Sequence, residues 1–271
     1  MTSKIRIGAL ISGTGSNLQA IIDACEKGAV AGRVEFIGSD NPNAAGLEKG
    51  KRHGISTFSV DYGAVIRAYY NDRAHAAVPA DFDLDEIRSK QTLFSVDDEV
   101  DPDKVAAFLT SRAIAEARLL KEMIAHPFEL LVLAGFMRTL TPYFIDRVNT
   151  TKDEPRIMNI HPALLPSFPG IDGYGDTFRY GCKVAGCTVH FIDYGEDSGP
   201  IIGQRAFPIQ FDDTLETVRE KGLAQEWELY PECIHLFAQG RLKTVKVDYE
   251  SRGGMKAERT VVRILPPGKE S

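Results

Sequence analysis

The chain has 271 residues, of which 43% are hydrophobic, and a formal net charge of -6. That size and apolar fraction specify a globular protein with a real core. The acidic balance excludes the basic face on which nucleic-acid binding rests, and no apolar run reaches the ~20 residues of a membrane-spanning helix.

Ile5–Ile11 reads as a buried strand. The short apolar run after Lys4, broken by Gly13 and Gly15, does not make a signal peptide. Ser12-Gly13-Thr14-Gly15-Ser16-Asn17 follows, and residues 18–25 then show helical spacing. Strand, glycine-rich turn and helix is the layout that offers free backbone N–H groups and a helix dipole to an anion. The side chains of Ser16 and Asn17 can add donors. The turn is not a Walker loop, which needs GKS or GKT. Nor is it a full GxGxxG, because Leu18 follows Asn17. A phosphate monoester suits it better than a dinucleotide; a tight turn that only caps a helix is the other reading.

Residues 34–39 form a second strand. Asn41-Pro42-Asn43 turns the chain into a helix over 44–52, stopped by Gly54, and a third strand spans 55–60. Strand–helix alternation of this kind implies a parallel sheet covered on both faces. Residues 61–103 break the rhythm with Tyr69 and Tyr70, then Asp81, Asp83, Asp85 and Glu86, then Asp97, Asp98, Glu99, Asp101 and Asp103. The Asp spacing is that of an EF-hand start. Glu86 and Thr92, however, stand where such a loop needs Gly and Glu. The segment reads as a solvated acidic insertion without a metal. An amphipathic helix over 111–124 and a buried strand over 128–135 follow. That strand empties into Phe136-Met137-Arg138-Thr139-Leu140, and loops after the C-terminal ends of parallel strands are where such sheets bind ligands. Pro142–Val148 is a short helix.

The stretch Ile157-Met158-Asn159-Ile160-His161-Pro162-Ala163-Leu164-Leu165-Pro166 is the chemical centre of the sequence. Asn159 and His161 lie two apart, so on a strand both leave the same face. An amide N–H₂ that can donate to an oxyanion then stands beside an imidazole that can move a proton near neutral pH. That pairing suits acyl transfer; a strand end with a satisfied Asn and a buried His is the other reading. Gly173-Tyr174-Gly175-Asp176 reads as a loop too glycine-rich to be regular. Residues 186–192 form a strand with a polar face, 193–199 a loop, and 200–204 a strand. Residues 214–238 form a long helix interrupted by Pro231, and 244–247 with 260–263 a closing hairpin. Asp197, in the loop Glu196-Asp197-Ser198-Gly199-Pro200, can orient an imidazole and raise its pKa, or simply serve the turn. No Ser or Cys nucleophile accompanies Asn159, His161 and Asp197, which favours direct attack by a substrate amine. Cys25, Cys182, Cys187 and Cys233 form no CxxC pair and have no histidine set for zinc, so they read as reduced cytoplasmic thiols. With no repeats and no low-complexity linker, residues 1–271 read as one folded unit.

Five segments together resemble the folate-dependent phosphoribosylglycinamide formyltransferase family. They are residues 11–21, Leu133-Ala134-Gly135-Phe136-Met137-Arg138, residues 158–166, Gly186-Cys187-Thr188-Val189-His190-Phe191 and residues 197–204. They run in the family's order across most of the chain. The resemblance implies an α/β, Rossmann-like, doubly wound, mostly parallel sheet. It implies transfer of a formyl group from 10-formyltetrahydrofolate, as co-substrate, to the amine of glycinamide ribonucleotide in de novo purine synthesis. It also implies a cytoplasmic monomer or homodimer with no metal and no nucleic-acid or membrane partner. Residue by residue, Gly15, Ser16 and Asn17 would hold the phosphate, and Glu226 the ribose or amine side. Met137, Arg138, Thr139 and Leu140 would line the pterin pocket, with Asn159 and the backbone near 193–197. Arg112 falls where the family has a folate-contacting Arg, and Asn159, His161 and Asp197 would be the catalytic trio.

Two departures stand out. The family's histidine-containing stretch after Pro169-Gly170 is replaced by Ile171-Asp172-Gly173-Tyr174-Gly175-Asp176, with Asp172 or Tyr174 as candidate substitutes. The acidic insertion has no counterpart in compact members. Methionyl-tRNA formyltransferases would add a basic C-terminal barrel, for which the tail after Gly240 is too short. Two alternatives stay open, an N-formyltransferase of amino sugar nucleotides and a catalytically silent nucleotide- or folate-binding module.

Overall fold

The computed structural model describes residues 4–94, 100–151, 154–250, 254 and 256–268; Asp97, Asp98 and Glu99 of the acidic run lie outside them. In chain order the first half comprises β1 (Ile5–Ile11), α1 (Ser16–Glu26), β2 (Gly32–Ser39), α2 (Gly46–Arg52), β3 (Ser56–Ser59), α3 (Tyr62–Asn71), α4 (Leu84–Lys90) and α5 (Pro102–Met123). The second half comprises β4 (Leu130–Leu133), α6 (Pro142–Val148), β5 (Ile157–His161), α7 (Gly173–Arg179), β6 (Val184–Phe191), β7 (Ile201–Pro208), α8 (Leu215–Ala238), β8 (Leu242–Glu250) and β9 (Lys256–Ile264).

Seven strands form one sheet in the order β3-β2-β1-β4-β5-β6-β7, and β8 pairs with β9 in a separate hairpin. Neighbours from β3 through β5 run parallel, whereas β6 and β7 are antiparallel. Strand alternation sends side chains to two cores. Ile7, Ala9 and Ile11 of β1 and Leu130 and Val132 of β4 pack with Leu18, Ile21 and Ile22 of α1 and with Leu229, Tyr230 and Ile234 of α8. Leu10 of β1 and Leu131 and Leu133 of β4 face the opposite side, against Val65 of α3, Ile114 and Leu119 of α5 and Phe144 of α6. The sheet is thus doubly wound, as the alternation of elements requires. The hairpin docks through Leu242 and Val262 onto the first core.

Most expected elements are present, with longer bounds for the fifth helix and the closing hairpin. The described residues of 61–103 combine exposed acids with buried apolar side chains. Tyr62 and Val65 enter the second core, and Ile87 joins Val105, Leu109 and Tyr143 in a satellite cluster. The acids have local tasks. Asp61 caps α3 by accepting from the Ala64 N–H at 2.8 Å, Asp83 caps α4 through the Glu86 N–H at 3.0 Å, and Asp101 caps α5 through the Asp103 N–H at 2.9 Å. Asp81 pairs with Arg147 at 2.6 Å and accepts from the Tyr143 hydroxyl.

Two expectations are corrected. Gly173 to Asp176 is not irregular: it begins α7. A Cβ on Gly173 would lie 2.6 Å from the Pro162 carbonyl oxygen, and one on Gly175 would lie 2.1 Å from the Asp172 carboxylate. These glycines therefore permit close approach within a helix rather than left-handed backbone. Pro231 does not interrupt α8, which runs unbroken from Leu215 to Ala238.

Candidate functional site

Three loops at the C-terminal ends of β1, β4 and β5 meet. Ser12 N–H donates to the Gly135 carbonyl at 2.9 Å, and Met137 N–H donates to the Ser12 hydroxyl at 2.7 Å, so the first two loops are fixed to each other. Gly15 takes φ 67° and ends the turn ahead of α1, whose N-terminus has no side-chain cap. The first-turn N–H groups of a helix lack intrahelical acceptors, so this end favours an anion. Gly46 of α2 packs here, its N–H on the Gly13 carbonyl and its Cα 3.2 Å from where a Gly15 Cβ would stand.

The loops open onto a cleft of about 490 Å³. One wall carries Asn17 and Glu226, another Met137, Arg138, Thr139 and Leu140, and the floor Asn159, His161 and Asp197. Ser16 faces the adjoining groove beside Lys49, whose ammonium donates to the Gly15 carbonyl at 3.0 Å. Arg112 does not line the cleft. It lies on α5 with its guanidinium 3.7 Å over the Phe108 ring and its Nε without a partner.

The floor is built from paired strands. In the β5–β6 register, Asn159 stands opposite His190 and His161 opposite Thr188. Thr188 donates to the Ala163 carbonyl at 2.7 Å and accepts from the Leu165 N–H at 3.0 Å, which anchors the proline-rich exit of β5. Gln204 adds a bond to the Leu165 carbonyl at 2.9 Å.

His161 is 2% exposed. Its Nδ1 lies 3.1 Å from Asp197 Oδ2 and its Nε2 2.8 Å from the Phe168 carbonyl oxygen. Both partners only accept, so the surroundings favour a ring that donates from both nitrogens, the imidazolium. Burial opposes that charge. The Asp197 hydrogen bond and charge, the Phe168 carbonyl and Glu226 outweigh it, and the pKa is raised. Burial likewise pushes the Asp197 carboxyl up, but the His161 bond and charge and the Gly170 N–H at 2.9 Å bring it below its ordinary value. Phe168 and Asp197 are the non-glycine residues with positive φ among the described residues, at 55° and 49°. Left-handed backbone is disfavoured for such residues, and here it turns a carbonyl and a carboxylate onto the same imidazole. A Cβ on Gly199 would lie 1.9 Å from the Phe191 carbonyl oxygen, so Gly199 lets the Asp197 loop press against β6.

Asn159 Nδ2 lies 3.3 Å from His190 Nε2, and His190 Nδ1 lies 2.9 Å from the Phe191 carbonyl oxygen. Burial lowers the His190 pKa. The neutral ring donates from Nδ1 and accepts at Nε2, which orients the Asn159 amide and leaves its second N–H for the cleft. His190 also lies 3.6 Å from Asp197 Oδ1, but as a neutral ring it forms no ion pair there. The signal for His190 lay in its period-two spacing from Thr188 on a strand facing Asn159 and His161.

Asn17 Nδ2 and the Tyr174 hydroxyl each donate to the Glu226 carboxylate at 2.7 Å, and burial raises the Glu226 pKa against these bonds. Arg138 pairs through Nε with Asp40 at 2.5 Å, an acid at the end of β2 that sequence reasoning did not single out. Behind Leu140, Glu116 of α5 accepts from the Thr141 N–H at 2.8 Å and its hydroxyl at 2.5 Å. Among the described residues no His, Cys, Asp and Glu cluster could hold a metal, and no helix is long and apolar enough to cross a membrane.

Comparison with known proteins gives this geometry a family. The formyl transferase family model matches residues 5–234. The phosphoribosylglycinamide formyltransferase of Escherichia coli is 32% identical over 239 residues, covering 88% of this chain and 90% of that protein. The trifunctional purine biosynthetic protein adenosine-3 of Gallus gallus is 32% identical over 89% of this chain, which spans only 19% of that protein. Among solved structures, glycinamide ribonucleotide transformylase 1 from Symbiobacterium toebii superposes with a TM-score of 0.70 at 36% identity, covering 98% of this chain and 96% of that one. The phosphoribosylglycinamide formyltransferase of Coxiella burnetii superposes with a TM-score of 0.66 at 29% identity, covering 89% and 90%. The chain belongs to the formyl transferase family and, within it, to the phosphoribosylglycinamide formyltransferases.

Proposed function

We propose that this protein transfers the formyl group of 10-formyltetrahydrofolate to the amine of glycinamide ribonucleotide, as a single folded unit over residues 1–271. The observation that carries the reading is the buried imidazolium of His161 beside the oriented amide of Asn159, at the floor of a cleft with two unlike walls. The wall at α1 suits a phosphorylated ribose: Asn17 and Glu226 line the cleft, where Glu226 accepts hydroxyl or amine hydrogens, and Gly15 and Ser16 at the α1 N-terminus, Ser16 on the adjoining groove, would take the phosphate. The wall at Met137, Arg138, Thr139 and Leu140 mixes apolar surface with backbone donors and suits a pterin. Arg138 would meet the acidic end of the folate. The free thiols of Cys25, Cys182, Cys187 and Cys233 suit a reducing compartment, the cytoplasm.

In the reaction the substrate amine attacks the formyl carbon while its carbonyl oxygen becomes an oxyanion. The free N–H of Asn159 and the Nε2–H of His161 stabilise that oxygen, which competes with the Phe168 carbonyl for the imidazolium proton. Asp197 holds the ring charged and oriented. A water beside Asp197 carries the proton from the attached ammonium to the departing folate nitrogen, and the carbon–nitrogen bond to the folate breaks.

The test is formyl transfer with purified protein, followed by folate absorbance. Turnover with glycinamide ribonucleotide is the expected result. Turnover only with an amino sugar nucleotide, or with neither acceptor, would overturn the reading.

A further inference from the structure

We propose that Tyr174 is a positioning residue for the ribonucleotide, holding the Glu226 carboxylate so that its remaining lone pairs accept hydrogens of the substrate's ribose and glycinamide. The inference rests on the function proposed above. Glu226 and Tyr174 are each 5% exposed and Asn17 is 7% exposed, yet all three line the cleft. Tyr174 takes one carboxylate oxygen and Asn17 the other, both at 2.7 Å. A carboxylate has about four acceptor sites, so one site on each oxygen stays open to the cleft. Asn17 Oδ1, on the amide that donates to Glu226, is also buried and without a hydrogen-bond partner. A hydroxyl-rich, amine-bearing ligand matches this set of acceptors.

The fold makes room for the phenol at this one place. A Cβ on Gly222 would lie 2.1 Å from Tyr174 Cζ and 2.4 Å from its hydroxyl oxygen. Gly222 is one turn before Glu226 on α8, so the missing side chain opens the path by which Tyr174 reaches the carboxylate. Phe207 packs beside the ring at 6.3 Å, and Val218 and Ala185 complete the cluster. Asp172, at the start of α7, binds Arg219 of α8 at 2.9 Å and Arg179 at 2.8 Å, which fixes the helix that carries Tyr174. The groups that act on Glu226 are Asn17 of α1, Tyr174 of α7 and the His161 imidazolium of β5. Arg219 of α8 and Asp172 line the same cleft, and the Cys187 thiol of β6 lies within hydrogen-bonding reach of the Tyr174 hydroxyl. Burial raises the Glu226 pKa, and the Tyr174 bond lowers it, so removing the phenol makes Glu226 protonate at a higher pH.

Tyr174→Phe in the full-length enzyme keeps the ring and removes the bond. The expected result is a KM for glycinamide ribonucleotide raised by about 5- to 10-fold, with kcat within about twofold. KM for 10-formyltetrahydrofolate is expected to be unchanged. The substrate's own titrations are common to both proteins, so the ratio of wild-type to variant kcat/KM isolates Glu226, and it should widen as pH falls. In a Glu226→Gln background both the Tyr174→Phe effect and its pH dependence should vanish. An unchanged ribonucleotide KM and a flat ratio would overturn the inference alone, as would equal rises in both KM values with a lowered Tm. Wild-type enzyme that forms no formyl product would overturn the functional reading and this inference with it.

Discussion

At the scale of the residue, the proposed chemistry depends on how one imidazole is surrounded. His161 has an acceptor on each nitrogen, and Asp197 is the only one that carries charge. Replacing Asp197 with Asn keeps the shape and removes that charge. Burial then dominates, the His161 pKa falls, and the imidazolium is lost at lower pH. The wild-type enzyme should therefore lose kcat as pH rises through the elevated His161 pKa, and Asp197→Asn should move this basic limb downward. The variant's kcat should also fall by about 100-fold or more. A basic limb at the same pH in both proteins would contradict the role of Asp197. Asn159 and His161 of the proposed trio could be singled out from the chain because their types and two-residue spacing put an amide and an imidazole on one strand face, whereas Asp197 alone could equally have served a turn. Phe168 could not, because it acts through a carbonyl turned by its backbone at φ 55°.

At the scale of the element, helices hold the loops that wall the cleft. Glu116 of α5 is fully buried and grips Thr141, next to Leu140. Burial raises its pKa to about 7 from an ordinary 4.5, although the Thr141 bonds favour the charged form. The folded state then holds this proton more tightly than the unfolded chain. The stabilisation is complete below the ordinary value and is lost as pH rises from 4.5 to about 7. Glu116→Gln mimics the neutral acid. Its stability relative to wild type should improve between pH 5 and pH 7.5 by on the order of 2–3 kcal/mol. Thermal unfolding at both pH values measures it; a constant difference would show that Glu116 does not titrate there. The elements themselves were largely legible, since strand alternation and helix spacing are local. The start of α7 was not, because Gly173 and Gly175 answer to Pro162 and Asp172 rather than to turn geometry. Arg112 is the reverse case. Its position in the chain matched a family pattern, but helix α5 seats it on Phe108 and outside the cleft lining.

At the scale of the molecule, the sheet brings distant segments to one edge. Asn17 meets Glu226 across 209 positions, and Ser12 meets Met137 across 125. Such contacts follow from strand order, and β1, β4 and β5 are adjacent although long segments separate them in sequence. The antiparallel pair β6 and β7 then places His190, Asp197 and Gln204 around the exit of β5. The central claim is that Asn159 and His161 together stabilise the oxyanion in that exit. Steady-state formyl transfer from 10-formyltetrahydrofolate to glycinamide ribonucleotide, measured for wild type, Asn159→Ala and His161→Ala, tests it most directly. Each variant should lose about 100- to 1000-fold in kcat while remaining folded. Near-wild-type turnover in both would contradict it.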